Sequence, residues 1–181
     1  MLYNEFMYTL SKSLLDLPVL SLQTGQPVTQ TTDVIIDPST LMIVALQCGV
    51  AEDMTNPIVL TRDIREFTVD CILVNSDADI SETTDIVRLK VLIDDPFTLM
   101  NTRVVTEGGT KLGRVEDYTI ATDTFQVHKL YVHPAFIKGL FGSSLIIDRS
   151  QITDVTNKQI TVKETTTHLS SIVKSTQPLK P

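Results

Sequence analysis

The chain contains an internal repeat, and this repeat limits its fold more than any other feature of the sequence. The string TGQPVTQTTDVIIDPSTLMIVAL occupies residues 24–46, and a related string, GGTKLGRVEDYTIATDTFQVHKL, follows 84 positions later at residues 108–130. Six pairs of similar residues stay in register at this offset: Gly25 with Gly109, Val28 with Leu112, Asp33 with Asp117, Ile36 with Ile120, Thr40 with Thr124 and Leu46 with Leu130. The repeat predicts two similar structural units.

Each copy reads as a series of short strands. A β-branched run, PVLSL or TRVVT, leads to a glycine turn at Gly25 or Gly109, which is typical of a hairpin because glycine accepts positive φ. A second strand, a polar break at DPST or ATDT, and a third strand follow, and then an apolar run enters Arg62 or Arg149. Five or six short strands at regular spacing predict a small barrel or sandwich in each copy.

The segment between the copies predicts a helix. Asp79 followed by Glu82 matches a capping box, the pair Asp94 and Asp95 before Pro96 ends the pattern, and one helical face carries Ile86, Leu89 and Ile93. A shorter helix is predicted over residues 9–17. The tail from residue 166 is polar, contains two prolines and is predicted to fray.

Composition favours a folded, acidic protein. Hydrophobic residues make up 42% of the 181 residues, enough for a core. The longest unbroken apolar run, residues 41–46, is too short for a transmembrane span, and a formal net charge of −7 disfavours nonspecific nucleic-acid binding. The N-terminus is acidic where a signal peptide would be basic, and we expect a cytoplasmic protein. The two cysteines have no metal-ligand spacing and are expected to be reduced thiols.

Charge is divided unevenly along the chain. Residues 1–95 contain 15 acids and 5 bases, whereas residues 96–181 contain 7 acids and 10 bases. The asymmetry supports two units. It leaves two readings open: different solvated faces, or a second half that meets an acidic partner.

The string VLSLQTGQPVTQTTDVIIDPSTLMIVALQC resembles the opening of the PRC-barrel family, and VVTEGGTKLGRVEDYTIATDTFQVHKLYV matches the same family more closely around Gly113, Arg114 and Val115. The whole chain resembles the tandem PRC-barrel proteins of bacteria. The copies differ where Thr29 corresponds to Gly113 and where Ala121 and Thr122 correspond to Asp37 and Pro38.

The resemblance implies a mainly β protein in which two small antiparallel PRC-type β-barrels, at residues 14–76 and 101–165, are joined by a helix-containing connector at 77–100. Residues 1–13 would lead into the first barrel, and residues 166–181 would form a flexible tail. Similar barrels form the cytoplasmic domain of the photosynthetic reaction-centre H subunit, a domain of a ribosome maturation factor, and archaeal cell-division adaptors. None of these implies a catalytic residue or a cofactor in the barrel.

Two recurring pairs are candidate site residues. Asp33 and Asp117 form either a paired ligand site or, more simply, hydrogen bonds to backbone amides. Arg62 and Arg149 either pair with a neighbouring acid, such as Asp63 or Asp148, or contact a partner carboxylate.

The sequence shows no catalytic or metal-binding motif. His128 and His133 lie five apart on a predicted strand and face opposite sides, so they cannot share a metal. The acidic residues near Asp79 lack the glycine of a calcium loop and carry Arg88 where a bidentate acid is needed. Hydrolase, zinc and nucleotide chemistry therefore have no support in the sequence.

The segment HPAFIKGLFGSS at residues 133–144 is the most suggestive site for a partner. It interrupts the second copy with Phe136, Ile137, Lys138, Leu140 and Phe141. These side chains either plug the barrel or contact a partner. We expect a non-enzymatic adaptor that binds a protein or itself through this segment and the groove between the barrels. Ribosome-associated binding and small-ligand binding are the alternatives.

Overall fold

The chain folds mainly into β-strands, as the repeat predicts. The computed structural model describes residues 8–49, 54–83, 87–134 and 144–164. The first half contains strands β1 (Tyr8–Leu10), β2 (Pro18–Ser21), β3 (Pro27–Asp37), β4 (Met42–Cys48), β5 (Pro57–Leu60), β6 (Ile64–Phe67), β7 (Ile72–Val74) and β8 (Ile80–Glu82). Helix α1 (Val87–Asp94) follows, and the second half contains β9 (Arg103–Thr106), β10 (Lys111–Ala121), β11 (Val127–Pro134), β12 (Leu145–Asp148), β13 (Ile152–Val155) and β14 (Gln159–Val162).

The two halves form sheets with the same strand order. The first sheet runs β6-β7-β2-β3-β4-β5-β8, and the second runs β12-β11-β10-β9-β14-β13, with β1 paired to β10. Strands β2 to β7 therefore correspond one by one to β9 to β14. In both sheets the first and last strands of the copy, β2 with β7 and β9 with β14, pair in parallel, whereas their other neighbours pair antiparallel. The sequence repeat is thus a repeat of topology.

Each sheet is curled into a half-barrel. Strands β5 and β6 lie at opposite ends of the six-strand order of the first copy, yet only the three-residue 3-10 turn Thr61–Asp63 joins them. The turn Arg149–Gln151 joins β12 and β13 in the same way. Because three residues span only about 10 Å, the two ends of each sheet are held close together.

The predicted glycine turns are confirmed. Gly25 has φ 68° and Gly109 has φ 83°, values that side chains with a Cβ rarely adopt. The amide of Gly25 donates to the Ser21 carbonyl, and the amide of Gly109 donates to the Thr106 carbonyl. Both glycines thus close the hairpin that begins their copy.

The two copies are joined by a pair of equivalent hydrogen bonds. The Ile43 amide donates to the Phe125 carbonyl at 2.9 Å, and the Val127 amide donates to the Leu41 carbonyl at 2.9 Å. The bridge centres on Met42 and Gln126, which are themselves equivalent at the 84-residue offset. A local pseudo-two-fold axis therefore passes through this bridge, with β4 of one copy meeting β11 of the other.

One apolar core is shared by both copies. A continuous cluster of buried side chains contains residues of both sheets, including the fully buried equivalents Leu46 and Leu130. Phe97 and Leu99, from the segment after α1, belong to the same cluster. A smaller cluster on the outer face of the first sheet packs Leu89 of α1 against Ile35, Ala45, Ile58 and Leu60. The copies are therefore packed as one body, and α1 covers only the first.

The predicted helices are partly wrong. Ile80–Glu82 does not begin a helix but forms β8, which pairs with β5 because its backbone satisfies that sheet edge. The Asp79 carboxylate instead accepts from the Ser76 amide at 3.0 Å in a 3-10 turn. Within residues 9–17 the structure has the end of β1 and a 3-10 turn at Ser11–Leu14, since the backbone of Tyr8–Leu10 pairs with β10. The described helix α1 ends at Asp94, where the sequence predicts its end.

Because the core is shared, replacing one buried side chain should destabilise both copies equally. Leu130→Ala removes a fully buried side chain from the second sheet and is expected to lower the free energy of unfolding by about 2–5 kcal/mol. Amide hydrogen exchange should show this loss for the slowest amides of β3 and β4 as well as β10 and β11. Val91→Ala, at a side chain 73% exposed on α1, is the matched control. Unchanged protection in the first sheet would contradict the shared core.

Candidate functional site at the junction of the two copies

The junction is packed differently on its two sides. On one side, Phe125 of the second copy packs edge-to-face on Phe67 of the first, with ring centroids 6.2 Å apart and planes at 89°. Phe125 corresponds to Leu41, and Phe67, the last residue of β6, corresponds to Val155, the last residue of β13. The equivalent pair on the other side is therefore Leu41 and Val155, which have smaller side chains.

The smaller pair leaves a cleft of about 370 Å³. We call it the junction cleft. Pro38, Ser39 and Leu41 of the first copy line one wall, and Arg149 and the four residues of β13 line the other. The cleft thus lies where the pseudo-two-fold relation between the copies is broken by side-chain size.

Arg149 is the cationic side chain of the junction cleft. It is the first residue of the 3-10 turn after β12, a position that Thr61 holds in the first copy. The Thr61 hydroxyl donates within its own sheet, 3.1 Å from the Ile43 carbonyl. Arg149 reaches the other copy, and its Nη2 donates to the Thr40 carbonyl at 2.7 Å. Its Nε is shielded from solvent and has no hydrogen-bond partner among the described residues.

The acids beside the junction cleft are engaged by their own turns. Asp37 accepts from the amide and the hydroxyl of Ser39 at 2.8 and 2.6 Å, and although partial burial opposes it, these bonds lower the pKa of Asp37. The Ser150 hydroxyl and amide, at 2.7 and 3.0 Å, lower the pKa of Asp148 in the same way. Within the described ranges, no carboxylate pairs with Arg149; exposed Asp154 lines the cleft farther along β13.

Asp33 and Asp117 bond to backbone amides. Each lies at a register shift between the second and third strands of its copy, and its Oδ1 accepts from the next amide, Val34 or Tyr118, at 2.8 Å. Asp117 also accepts from the Ser11 hydroxyl at 2.6 Å. The structure therefore supports the backbone-bonding interpretation of these two acids. Asp117, Ser11 and neighbouring residues line a second, wider cleft of about 600 Å³.

Arg62 and Arg149 have different surroundings. The Arg62 side chain is 77% exposed, and its Nε lies 3.7 Å from Asp63, so the ion-pair interpretation holds for this residue. The two arginines occupy corresponding 3-10 turns but are offset by one position within them. Alignment of the two copies did not predict the junction cleft. It did show that the second copy has Phe125 at the position where the first has Leu41.

The remaining candidates add no site in the described part of the chain. The residues Phe136, Ile137, Lys138, Leu140 and Phe141 lie outside the described residues. Both cysteines are free, and burial raises the pKa of the Cys48 thiol to about 11. His128 stacks on Tyr8, with ring centroids 4.1 Å apart. No group of three metal-ligating side chains occurs in residues 8–49, 54–83, 87–134 and 144–164.

Comparison with protein-family models gave no match for this chain, and comparison with curated proteins gave none. Among the helices that the structure describes, none is long and apolar enough to cross a membrane.

Burial of Tyr118, which follows Asp117, makes the folded chain less stable at alkaline pH. Its side chain is 2% exposed, and burial together with the charges of Asp33 and Asp117 raises the pKa of its hydroxyl above the ordinary value of about 10. Above pH 10 the unfolded chain loses this proton and the folded chain retains it, so stability falls as pH rises. The slope contributed is up to about 1.4 kcal/mol per pH unit.

Urea unfolding between pH 8 and 11 should show this fall in the native chain and a shallower one in Tyr118→Phe. Tyr131→Phe, at a half-buried tyrosine of the neighbouring strand, is the control for loss of a phenol. Equal slopes for Tyr118→Phe and the native chain would contradict the assignment.

Proposed function

We propose that the chain is a tandem PRC-barrel protein that acts as a non-enzymatic cytoplasmic scaffold and holds a partner protein in the junction cleft. Two features support the barrel assignment. The six strands of each copy follow the same order, and a three-residue turn draws the two ends of each sheet together. Barrels of the family that the sequence resembles act as adaptors, and a duplicated barrel offers a surface between its copies.

The observation that carries the proposal is the unequal packing of the junction. Phe67 and Phe125 fill one side, whereas Leu41 and Val155 leave the other side open beside Arg149. Arginine is enriched among the residues that concentrate binding energy at protein interfaces, because it combines directed hydrogen bonds with buried area. The junction cleft places Arg149 beside an opening between the two copies.

The size of the cleft suits a few side chains of a partner. A volume of about 370 Å³ lies at the lower end of the roughly 300–1,000 Å³ that ligand pockets enclose. Its walls combine the apolar side chains of Leu41, Ile152 and Val155 with the polar side chains of Ser39 and Thr153. Such a mixture is typical of protein–protein contacts, whose apolar centre is surrounded by polar groups.

A photo-crosslinking side chain at Ser39, an exposed residue of the cleft wall, should capture a defined protein from native lysate. The same group at Val91, exposed on α1, should not capture it. Leu41→Phe with Val155→Phe copies the packed side of the junction into the open side, and it should abolish capture while Arg149 remains. Leu41→Phe suits the local backbone, since Leu41 and Phe125 share φ values of 54° and 55°. Val155→Phe places at the end of β13 the residue type that ends β6.

Equal capture from Ser39 and Val91, or capture unaffected by the double substitution, would overturn the proposal. Thermal unfolding of the double variant provides the control for folding. The capture experiment is repeated after RNase treatment. If the captured proteins are ribosomal and are lost after RNase treatment, the chain associates with ribosomal particles instead.

The segment at residues 133–144 stays part of the proposed contact surface on the basis of its sequence. Phe136→Ser with Phe141→Ser removes its two aromatic side chains and is expected to weaken partner capture from Ser39 at least about tenfold, the typical effect of losing aromatic anchors. Phe67→Leu, which changes an aromatic side chain on the packed side of the junction, is the control and should leave capture unchanged. Unchanged capture by a folded double variant would remove the segment from the proposal.

A further inference from the structure

We infer that the junction cleft recognises a side-chain carboxylate, from an aspartate or glutamate that lies between apolar residues in an extended segment of the partner. The inference rests on the proposed function and names the chemistry of the same site. It follows from the free donors of the Arg149 guanidinium, from a second cation on the same turn, and from the three apolar side chains in the walls of the cleft.

The Arg149 guanidinium has hydrogen-bond donors to spare. Of its five N–H groups, one at Nη2 is used by the Thr40 carbonyl, and the one at Nε has no partner among the described residues. Because Nε is shielded from solvent, a ligand reaches Arg149 through the terminal nitrogens. The planar arrangement of these donors matches the two oxygens of a carboxylate.

The guanidinium is also held in place before a ligand arrives. The bond from Nη2 to Thr40 joins a side chain of the second copy to the backbone of the first. A fixed side chain loses little rotamer freedom on binding, so more of the charge-assisted bond contributes to affinity. Thr61, at the corresponding position of the first copy, directs its hydroxyl to its own sheet and offers no such donor.

A second cation lies on the same 3-10 turn as Arg149. Lys163 Nζ donates to the Ser150 carbonyl at 2.9 Å, which places a second cation on the same 3-10 turn. The nearby carboxylates of Asp37 and Asp148 accept hydrogen bonds from Ser39 and Ser150 and, within the described ranges, none from Arg149, so the guanidinium keeps its free donors.

The rest of the cleft determines which residues flank the acid in the partner segment. Leu41 is buried on one wall, and Ile152 and Val155 are half-buried on the other. An extended segment presents alternate side chains to opposite sides, so the residues two positions before and after an acid directed at Arg149 face the cleft walls and are apolar. Exposed Asp154 farther along β13 disfavours a second acid there.

The test uses the full ¹⁵N-labelled chain and three peptides. Acetyl-Val-Val-Glu-Val-Val-amide has a side-chain carboxylate and no free terminus, acetyl-Val-Val-Gln-Val-Val-amide has none, and acetyl-Val-Val-Gln-Val-Val with a free C-terminus has only the terminal carboxylate. The glutamate peptide should shift the amide signals of Thr153, Asp154 and Val155 and the Arg149 Nε signal. Arg149→Met should raise its Kd at least about tenfold, whereas Arg62→Met, at the exposed arginine of the other copy, should leave it unchanged.

Equal affinity for the two amidated peptides would overturn the inference, since the carboxylate would then contribute nothing. Tighter binding of the peptide with a free C-terminus would overturn the choice of a side-chain carboxylate. An absence of shifts with all three would overturn the site chemistry, while capture of a partner from Ser39 would still support the scaffold. If the glutamate peptide binds but crosslinking from Ser39 captures no protein, the scaffold proposal is overturned and the carboxylate site stands.

Discussion

The pair of backbone hydrogen bonds around Met42 and Gln126 is the constraint on which the rest of the structure depends. Residues equivalent in the repeat meet there, and Leu41 and Phe125 both adopt positive φ, at 54° and 55°, a conformation that costs a side chain about 1 kcal/mol or more. This cost recurs in both copies because the strained residue lets the backbone turn directly into β4 or β11. In that conformation its carbonyl accepts a hydrogen bond from the other copy. Two small sheets, each marginal alone, thereby share one apolar core.

The junction cleft is a consequence of joining unequal copies about this axis. If phenylalanine stood at positions 41 and 155, the two rings would pack as Phe125 and Phe67 do, and the cleft would be closed. A dimer of identical chains would have two equal sides by symmetry. Duplication within one chain frees each side to change separately, and among the described residues of the junction the side beside Arg149 is the open one. The site that we propose therefore lies where the two copies differ.

Sequence periodicity predicted the part of the fold that depends on local backbone chemistry. The hairpin glycines Gly25 and Gly109, and the mainly β composition, follow from φ preferences and strand propensity that neighbours do not change. The strand at Ile80–Glu82 could not be predicted in this way, since its residues fit a helix start equally well and pairing with β5 decides between them. The junction cleft was also out of reach, because it depends on which residues of two distant segments come to face each other.

Arg149 shows why aligned residue types are a weak guide to site residues in a repeat. The alignment matched Arg149 with Arg62, yet in the structure Arg149 is equivalent to Thr61. A shift of one position along a 3-10 turn changes the direction of a side chain by about a third of a turn. Arg62 therefore extends into solvent beside Asp63, whereas Arg149 crosses to the Thr40 carbonyl. The chemistry at the junction comes from the position at which the copies have diverged, and the recurring residues serve the scaffold: Asp33 and Asp117 bond to backbone amides in both sheets.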